Sequence, residues 1–560
     1  MSKPIQIYCR NTGQYLDVAG GVTLAEVAAM PEVRLPFRPI CALANNKTEH
    51  LGFEIFSPKE IEFLDFRSST GRDVYIRSLC MIAYRALHTL DPSLAIRIEH
   101  SISKGLFCRI MRPDRSIFPV SQEFAAALQN EMQRLVDADL PFERFEQRTD
   151  DVIELFRRQG LTDKVELLET ISEIYTVYYK LDGLADSFYG PLAPSTSFIG
   201  VFDLLAWQDG ILMLGPDLAQ PDMPAQPVTQ QKMFHAFTEH LEFNKVIRVS
   251  SVGELNRAVA AHRSADLINV AEAMHDKLIG RISDEIMKGR KNGGASVILI
   301  AGPSSSGKTT TSKRLAIQLM TNLITPKLIS LDDYFVNRED TPRDETGDYD
   351  YESLHALDLE LFNADIRRLL LGEEINLPTY SFELGRRVNK HRPLSLKANE
   401  VLIVEGIHGL NPELTAAVPK EHIFKMYVSA LTTLRIDNHN WISTSDNRLL
   451  RRIVRDNKYR HTPPEETIRR WPSVRRGEEK WIFPFQENAD ATFNSSLLFE
   501  IGVMKPYAEP LLETVPHNVA EYTTAYRLIR FLKYFRPISE NDVPSTSLLR
   551  EFLGGSSFHY

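Results

Sequence analysis

Short apolar runs alternate with helical stretches in the C-terminal part of this chain. The runs SVILIAG, KLISLDDY, EVLIVEGIH and FKMYVSA are separated by segments with helical periodicity. Strands of a parallel sheet are buried on both faces and therefore appear as nearly continuous apolar runs, with helices between them. This pattern predicts a doubly wound parallel α/β sheet that begins near residue 295.

The preceding part of the chain shows a different pattern. Residues 1–66 alternate as short strands around one short helix, as in IQIYC and EIEFLDF, whereas residues 67–218 mix longer helices with strands in an α+β arrangement. A proline-rich stretch and a helical connector fill residues 219–294. The α/β domain then spans residues 295–515, and a C-terminal helix with a polar tail spans residues 516–560.

Composition limits the cellular setting and the kind of partner. The chain has 560 residues, of which 43% are hydrophobic and 25% charged, and its formal net charge of −9 argues against wholesale nucleic-acid binding. It contains no apolar run of membrane-spanning length and no signal-peptide pattern, so no membrane partner is expected. Its four cysteines are scattered without a CxxC pair, which favours a reducing, cytoplasmic setting.

The sequence GPSSSGKT at residues 302–309 matches the phosphate-binding pattern GxxxxGK[ST] between an apolar run and a helical segment. In this pattern, backbone N–H groups and the helix N-terminus face the phosphates. Lys308 should reach the β- and γ-phosphates, and the Thr309 hydroxyl should bind Mg²⁺. The predicted ATP-binding residues are Gly302, Ser304, Ser305, Ser306, Gly307, Lys308, Thr309 and Thr310.

Acidic residues follow two of the predicted strands. KLISLDDYF ends with Asp332 and Asp333, and VLIVEGIHG places Glu405 at the end of its strand. Ligands of open α/β sheets bind at this edge, so these acids are candidates for a general base and a Mg²⁺ ligand. No NKxD guanine-reading motif is present, and an acid placed to receive a hydroxyl proton favours a small-molecule kinase.

Residues 296–513 resemble the uridine kinase and phosphoribulokinase family of P-loop kinases. The motifs that carry the resemblance are GPSSSGKTT, LDDYF, GDYDYES, LPTYSF, IVEGIHG and RLLRRIVRDNKYR. The resemblance implies that Asp332 is the general base and that Glu405 completes a Mg²⁺ site with Thr309. It assigns catalytic roles to Asp332, Lys308 and Arg455.

The same resemblance implies an acceptor site. Asp350 would bind the acceptor ribose, and Tyr380 and Phe382 would flank its base. Uridine kinases place a histidine shortly after this aromatic pair, whereas this chain has Leu384, Gly385 and Arg386 there, which leaves the acceptor open. The substrate-binding residues implied by the resemblance are Asp350, Tyr380, Phe382, Arg452, Arg455 and Arg460.

A basic stretch supports a lid over the phosphates. Residues 448–476 contain ten lysines or arginines against three acidic residues in an otherwise acidic chain. Arg452, Arg455 and Arg460 fall inside it and would approach the phosphates and the acceptor. The alternatives are a solvated basic helix face and an RNA-binding patch.

The N-terminal residues carry two further resemblances. Residues 4–66, and above all GQYLDVAGGVTLAEVAAM, resemble the β-grasp TGS domain of threonyl-tRNA synthetases, and residues 67–218 resemble their editing domain. That family has histidines and a cysteine where this chain has Arg77, Met81, Phe188 and Leu192. None of these can act as an ordinary metal ligand or as a base near neutral pH, so we predict no deacylase activity.

The leading hypothesis is an ATP-dependent nucleoside kinase that phosphorylates the 5′-hydroxyl of uridine, cytidine or a relative. A sugar or sugar-phosphate kinase of phosphoribulokinase type is an alternative. A third hypothesis is an RNA-binding regulator that uses the P-loop as a nucleotide switch. An RNA or regulatory ligand for the N-terminal part and a homo-oligomeric state are compatible with the sequence.

Overall fold

The computed structural model describes residues 4–291, 295–345, 347–416 and 418–559. The chain starts with a mixed sheet, and α1 begins at a capping box in which Thr23 and Glu26 satisfy each other's backbone N–H groups. The elements are β1 (Ile5–Cys9), β2 (Gln14–Val18), β3 (Val22–Thr23), α1 (Leu24–Ala28), β4 (Cys41–Ala44), β5 (Lys47–Glu49), β6 (Glu54–Ile55) and β7 (Glu60–Leu64). The five-stranded order β2-β1-β7-β4-β5, with β1 and β7 parallel, agrees with the predicted β-grasp domain.

The second region packs a long helix against antiparallel sheets. The elements are α2 (Ser69–Leu90), β8 (Ala95–Ile102), β9 (Gly105–Met111), α3 (Gln122–Asp137), β10 (Glu143–Arg148), α4 (Thr149–Arg158), α5 (Thr162–Leu168), β11 (Tyr175–Leu181), β12 (Leu184–Asp186), β13 (Asp203–Trp207) and β14 (Gly210–Leu214). Helix α2 begins after Ser68, whose hydroxyl accepts a hydrogen bond from the Gly71 N–H. Its Leu79 and Ile82 share a buried core with Ile98, which fits an α+β domain.

Three helices connect this region to the parallel sheet: α6 (Gln231–Ile247), α7 (Val252–Ala260) and α8 (Ser264–Lys291). Helix α8 is more than a connector, because Ile279 and Ile286 share a core cluster with Ile298 and Ile300 of the first parallel strand. The predicted domain boundary at residue 294 lies outside the described residues. The segment boundaries stay predictions.

The C-terminal region contains the predicted parallel sheet. Its elements up to the last strand are β15 (Val297–Ala301), α9 (Lys308–Thr321), β16 (Thr325–Ser330), α10 (Leu359–Leu370), β17 (Ile375–Asn376), β18 (Tyr380–Ser381), β19 (Arg386–Arg387), β20 (Pro393–Leu394), β21 (Glu400–Glu405), β22 (Ile423–Ser429), α11 (Thr444–Arg460), α12 (Pro464–Trp481) and β23 (Ala491–Asn494). The sheet order is β16-β21-β15-β22-β23, with every neighbouring pair parallel. All five residues of β15 are buried, as an apolar run between two layers requires.

The chain ends with α13 (Glu500–Glu513), α14 (Tyr522–Leu532) and α15 (Arg550–Leu553). The predicted amphipathic helix is α14, whose Leu528 and Phe531 share a buried cluster with Leu449 and Ile453 of α11. The prediction of a polar tail after it is wrong. Residues 539–559, which we call the C-terminal segment, bury five apolar side chains against the protein: Val543, Leu548, Leu549, Phe552 and Leu553.

Residues 430–443, the interface loop, join β22 to α11 and contact the second N-terminal region. Arg435 donates to the Glu99 carboxylate at 3.0 Å, and His439 Nδ1 lies 2.7 Å from Asp186. The ammonium of Lys164 lies 2.8 Å from Asp186 and 3.0 Å from Asp437, which belongs to the loop. A buried network of charges therefore holds the segment that leads into α11.

None of the helices described has both the length and the apolar character needed to cross a membrane.

Candidate functional site

The loop of residues 302–309, here the phosphate loop, joins β15 to α9 with the backbone geometry that its glycines predict. A Cβ atom on Gly302 would lie 2.0 Å from the Val428 carbonyl oxygen, so no larger residue fits there. Gly307 has φ 86°, in the left-handed region that glycine adopts without strain, immediately before α9 begins at Lys308. The loop thus ends on a helix N-terminus, whose free N–H groups favour anions.

Two buried arginines of α11, here the lid helix, hold the phosphate loop in place. Arg448 donates to the Ser304 carbonyl at 3.0 Å, and Arg451 donates to the Ser305 carbonyl at 3.3 Å. Arg448 forms a two-pronged ion pair with Glu478, and Arg451 pairs with the buried carboxylate of Glu500. Burial opposes the charge of Glu478, but Arg448 and Arg475 hold its pKa below the usual value. These two contacts were not predicted from the sequence, although both arginines lie in the predicted basic stretch.

The acids at the strand ends lie side by side, as the parallel register requires. Ser330 of β16 pairs with Glu405 of β21, which also pairs with Ile300 of β15. The Ser330 hydroxyl donates to the Glu405 carboxylate at 3.0 Å. Asp332 follows in a short 3₁₀ turn, Leu331–Tyr334, whose N-cap is Ser330.

Lys308, Asp332 and Glu405 interact electrostatically. The protein around Glu405 keeps water away and raises its pKa to about 7; the charge of Asp332 adds to this effect, while Lys308 opposes it. The space between the phosphate loop, the lid helix and the strand ends is here called the cleft. The side chain of Asp332 is exposed towards it, yet withdrawal from bulk water still raises the pKa of Asp332. Lys308 opposes that rise as well. Its ammonium also donates to the Pro303 carbonyl at 3.1 Å.

Asp333, the neighbour of Asp332, has a different environment. Its carboxylate pairs with Arg392 at 2.9 Å, and Arg392 also donates to the Pro378 carbonyl. Asp333 is therefore held by Arg392, which directly precedes β20, whereas Asp332 interacts with Lys308, Arg455 and Arg460.

A third carboxylate, Glu352, lies in the same cleft and was not predicted from the sequence. Its Oε2 atom is buried and has no hydrogen-bond partner among the residues described. Burial raises its pKa to about 7, and repulsion from Glu478 adds to the rise, against the attraction of Arg452 and Lys308. Glu352 belongs to the acidic-aromatic motif GDYDYES, in which only Asp350 was given a role.

Three predicted lid arginines reach the cleft from the lid helix. Arg452 donates to the Ser304 hydroxyl at 2.9 Å, so it touches the phosphate loop directly. Arg455 lies 2.7 Å and Arg460 3.6 Å from Asp456, and the fields of both arginines favour the charged form of Asp332. Four further arginines of the basic stretch, all on α12, pair with other acids: Arg469 with Glu465, Arg470 with Glu466, Arg475 with Glu478 and Glu479, and Arg476 with Asp344.

Aromatic rings line the wall next to Asp332. Tyr380 and Phe382 have centroids 5.1 Å apart, and Phe335, three residues after Asp332, lies 5.6 and 5.7 Å from them. Tyr380 is buried, whereas Phe382 is 53% exposed and can accept a planar partner. Tyr351 lies 6.5 Å from Phe335. Phe335 and Tyr351 were not predicted, although LDDYF and GDYDYES contain them.

Asp350 lies at the edge of this aromatic group, next to Tyr351. Its backbone N–H donates to the Pro342 carbonyl at 2.7 Å, and its carboxylate accepts from the Glu352 N–H at 3.1 Å. The carboxylate thus shapes the turn that carries Glu352 as well as standing near the rings.

The N-terminal positions that replace the expected histidines and cysteine are packed inside the second region. Met81, Phe188 and Leu192 are buried apolar side chains. The buried guanidinium of Arg77 donates to the Pro191 carbonyl at 3.2 Å and lies over the Tyr189 ring. The prediction of no deacylase activity stays a prediction.

Comparison with known proteins matches each half of the chain separately. Residues 297–498 match the model of the Phosphoribulokinase / Uridine kinase family. A uridine kinase of Halobacterium salinarum is 30% identical over 193 residues, which is 34% of this chain and 76% of that kinase. A solved structure described as a possible uridine kinase from Bacillus stearothermophilus is 20% identical, covers 36% of this chain and 89% of its own, and has a TM-score of 0.25.

The N-terminal half is similar to threonine–tRNA ligases. The ligase of Carboxydothermus hydrogenoformans is 31% identical over 185 residues, or 33% of this chain and 28% of the ligase. The ligase of Clostridium novyi is 26% identical over 195 residues, or 35% of this chain and 30% of the ligase. This chain therefore spans less than a third of the length of these ligases.

Proposed function

The C-terminal half of this chain belongs to the phosphoribulokinase / uridine kinase family, and from that premise we propose that it transfers the γ-phosphate of ATP to the 5′-hydroxyl of a nucleoside such as uridine or cytidine. The observation that carries this proposal is the group formed by Lys308, Asp332 and Glu405 beside the phosphate loop. Phosphoryl transfer needs chiefly in-line positioning and neutralised charge.

In the proposed reaction, the phosphate loop holds the triphosphate and Lys308 neutralises charge on the transferring group. Asp332 accepts a hydrogen bond from the acceptor hydroxyl and takes its proton as the O–P bond forms. ADP leaves with the electron pair of the broken β–γ bond. Arg452, Arg455 and Arg460 draw the phosphates and the acceptor together from the lid helix.

We propose that Thr309 and Glu405 hold Mg²⁺. Within the described part of the chain, no group of three or more histidine, cysteine, aspartate or glutamate side chains forms a metal site alone. Mg²⁺ is usually held by one or two carboxylates together with substrate phosphates, so a hydroxyl and one carboxylate are a fitting donor set. When bound, the metal would neutralise charge on the phosphate oxygens.

The aromatic group supports a nucleoside as the acceptor. The half-exposed Phe382, beside Tyr380 and Phe335, offers a flat apolar surface for a base next to the carboxylate of Asp332. A sugar lacks a planar group that would use this surface. A sugar or sugar-phosphate acceptor is therefore the weaker form of the proposal.

The proposal is tested by measuring ATP consumption by full-length, RNA-free protein with a panel of nucleosides, pentoses and pentose phosphates. Turnover with one or more nucleosides is expected, together with the nucleoside 5′-monophosphate as product. Turnover only with a pentose phosphate would establish the phosphoribulokinase-type alternative instead.

An RNA-linked role is a second candidate, favoured by the similarity of the N-terminal half to threonine–tRNA ligases. In that case RNA would bind the N-terminal half, and ATP binding at the phosphate loop would act as a switch. Nucleoside-dependent ATP turnover that is unaffected by added tRNA would exclude this role.

A further inference from the structure

The end of the chain lies on the predicted donor site. A Cβ atom on Gly307 would lie only 2.5 Å from Leu548 Cδ1, so the C-terminal segment packs directly on the phosphate loop. On α9, the ammonium of Lys313 donates to the His559 carbonyl at 2.6 Å. The C-terminal segment also contacts the lid helix, because the Lys458 ammonium donates to the Leu553 carbonyl.

One carboxylate of this segment occupies an anion position of the phosphate loop. Glu551 accepts a hydrogen bond from the Thr310 backbone N–H at 3.2 Å and another from the Thr310 hydroxyl at 2.6 Å. Thr310 lies in the first turn of α9, where the helix N-terminus carries partial positive charge and where P-loops hold the α- and β-phosphates. Repulsion from Glu551 also contributes to the raised pKa of Glu405.

A carboxylate and a phosphate cannot both accept the same N–H, and their like charges repel at this distance. We propose that Glu551 is an internal competitor of the nucleotide: it occupies the Thr310 donors while the site is empty and is displaced when a phosphate of ATP binds. This inference rests on the proposed function. It adds a residue that sets the affinity of the donor site, although it lies more than 200 residues from the phosphate loop in sequence.

The sign of the change in ATP affinity tests the proposal. The full-length wild type, Glu551→Gln and Glu540→Gln are titrated with MgATP by calorimetry. Glu540 is the matched control, because it belongs to the same segment and pairs with Arg550 at 2.8 Å. Since hydrogen bonds to charged groups are about twice as strong as neutral ones, Glu551→Gln should bind ATP about tenfold tighter. The control should stay within about twofold of the wild type.

A second variant protects the test against a change in folding. Glu551→Asp keeps the charge but is shorter by one methylene, so it should reach the Thr310 donors less well and also tighten ATP binding. Unchanged or weaker binding by folded Glu551 variants would overturn this inference while leaving the proposed function intact. If neither the wild type nor the variants bind ATP, the proposed function fails and this inference fails with it.

Discussion

Two glutamates in the two halves of the molecule share a shielded environment but have opposite electrostatics. Glu99, 2% exposed in β8, interacts with Arg435, Arg97 and Arg109, and although burial alone would raise its pKa, the three guanidinium groups lower it to about 2. Burial raises the pKa of Glu405, at the end of β21, to about 7, although the field of Lys308 and the Ser330 hydroxyl favour its charged form.

The two pKa shifts distinguish carboxylates that are neutralised by the protein's own cations from carboxylates whose charge is left for a ligand to neutralise. The carboxylate of Glu99 is compensated by three arginines of the protein itself, and that of Asp186 is compensated by Lys164. At the phosphate loop, Glu405 and Glu352 are not compensated, which is costly unless a cation or a proton arrives. Carboxylates perturbed in this way cluster at functional sites.

The largest effect is expected for Lys308→Ala, which removes a cation that favours the charged forms of both Glu405 and Glu352. Phosphoryl transfer should fall by about 10³-fold, because the charge on the transferring phosphate is no longer neutralised. Lys327→Ala is the matched control, since Lys327 pairs with Glu400 at 3.5 Å at the far end of the strands and should leave kcat within about twofold. Initial rates of ADP formation measure the activity of both variants. Equal losses of activity in Lys308→Ala and Lys327→Ala would contradict the distinction between compensated and uncompensated carboxylates.

The next effect is expected for Asp332→Asn. Loss of the proton acceptor should lower kcat by about 10²-fold while ATP binding stays nearly intact. The neighbouring variant Asp333→Asn is the control. Because the Asp333 carboxylate is already paired with Arg392, this variant should keep most of the wild-type activity. Steady-state kinetics decide between them. If only Asp333→Asn loses activity, Asp333 is the base and the assignment of Asp332 is wrong.

The sequence predicted the parts of the fold that depend on local pattern. The four apolar strands, the phosphate loop and the acids at the strand ends follow from periodicity and from a motif that requires a particular backbone. The fifth strand β23, whose sequence is only ATFN, has no apolar run to reveal it. Helix α12 continues through Pro472, where a break is the usual reading of a proline.

Contacts between distant parts of the chain were not predictable in this way. Glu352, Arg448 and Glu551 act on the phosphate loop through tertiary packing, and none of them forms a motif with it. The pairing of Glu99 with Arg435 joins residues 336 positions apart. Arg452, Arg455 and Arg460 were predicted because the family resemblance assigns them to a lid, and the local excess of positive charge in residues 448–476 supports that assignment.

A loss of stability is expected when the charge of a compensated carboxylate, Glu99, is removed. Glu99→Gln removes the buried charge that three arginines share, and the free energy of unfolding at neutral pH should fall by about 3 kcal/mol. Because the folded pKa of Glu99 lies below its ordinary value of 4.5, this stabilisation is present above pH 4.5 and is lost as the pH falls towards 2. Chemical denaturation of wild type and variant should therefore give curves that converge in acid.

Glu60→Gln is the matched control for Glu99. Glu60 also pairs with an arginine, Arg10, but on the exposed surface of the β-grasp domain, where such pairs contribute about 1 kcal/mol or less. A loss at Glu99 no larger than the loss at Glu60 would contradict the view that burial and full compensation distinguish Glu99.

The smallest effect is expected at the aromatic wall, which carries no charge and so tests whether the uncompensated carboxylates alone define the site. Phe382→Ala should raise the KM for the nucleoside by about three- to tenfold and leave kcat almost unchanged, because stacking of a base is lost before and during the reaction alike. Leu384→Ala removes a comparably exposed apolar side chain from the same turn, outside the aromatic group, and should change neither constant. A fall in kcat without a change in KM for Phe382→Ala would mean that the ring positions the acceptor hydroxyl for Asp332 rather than binding the base.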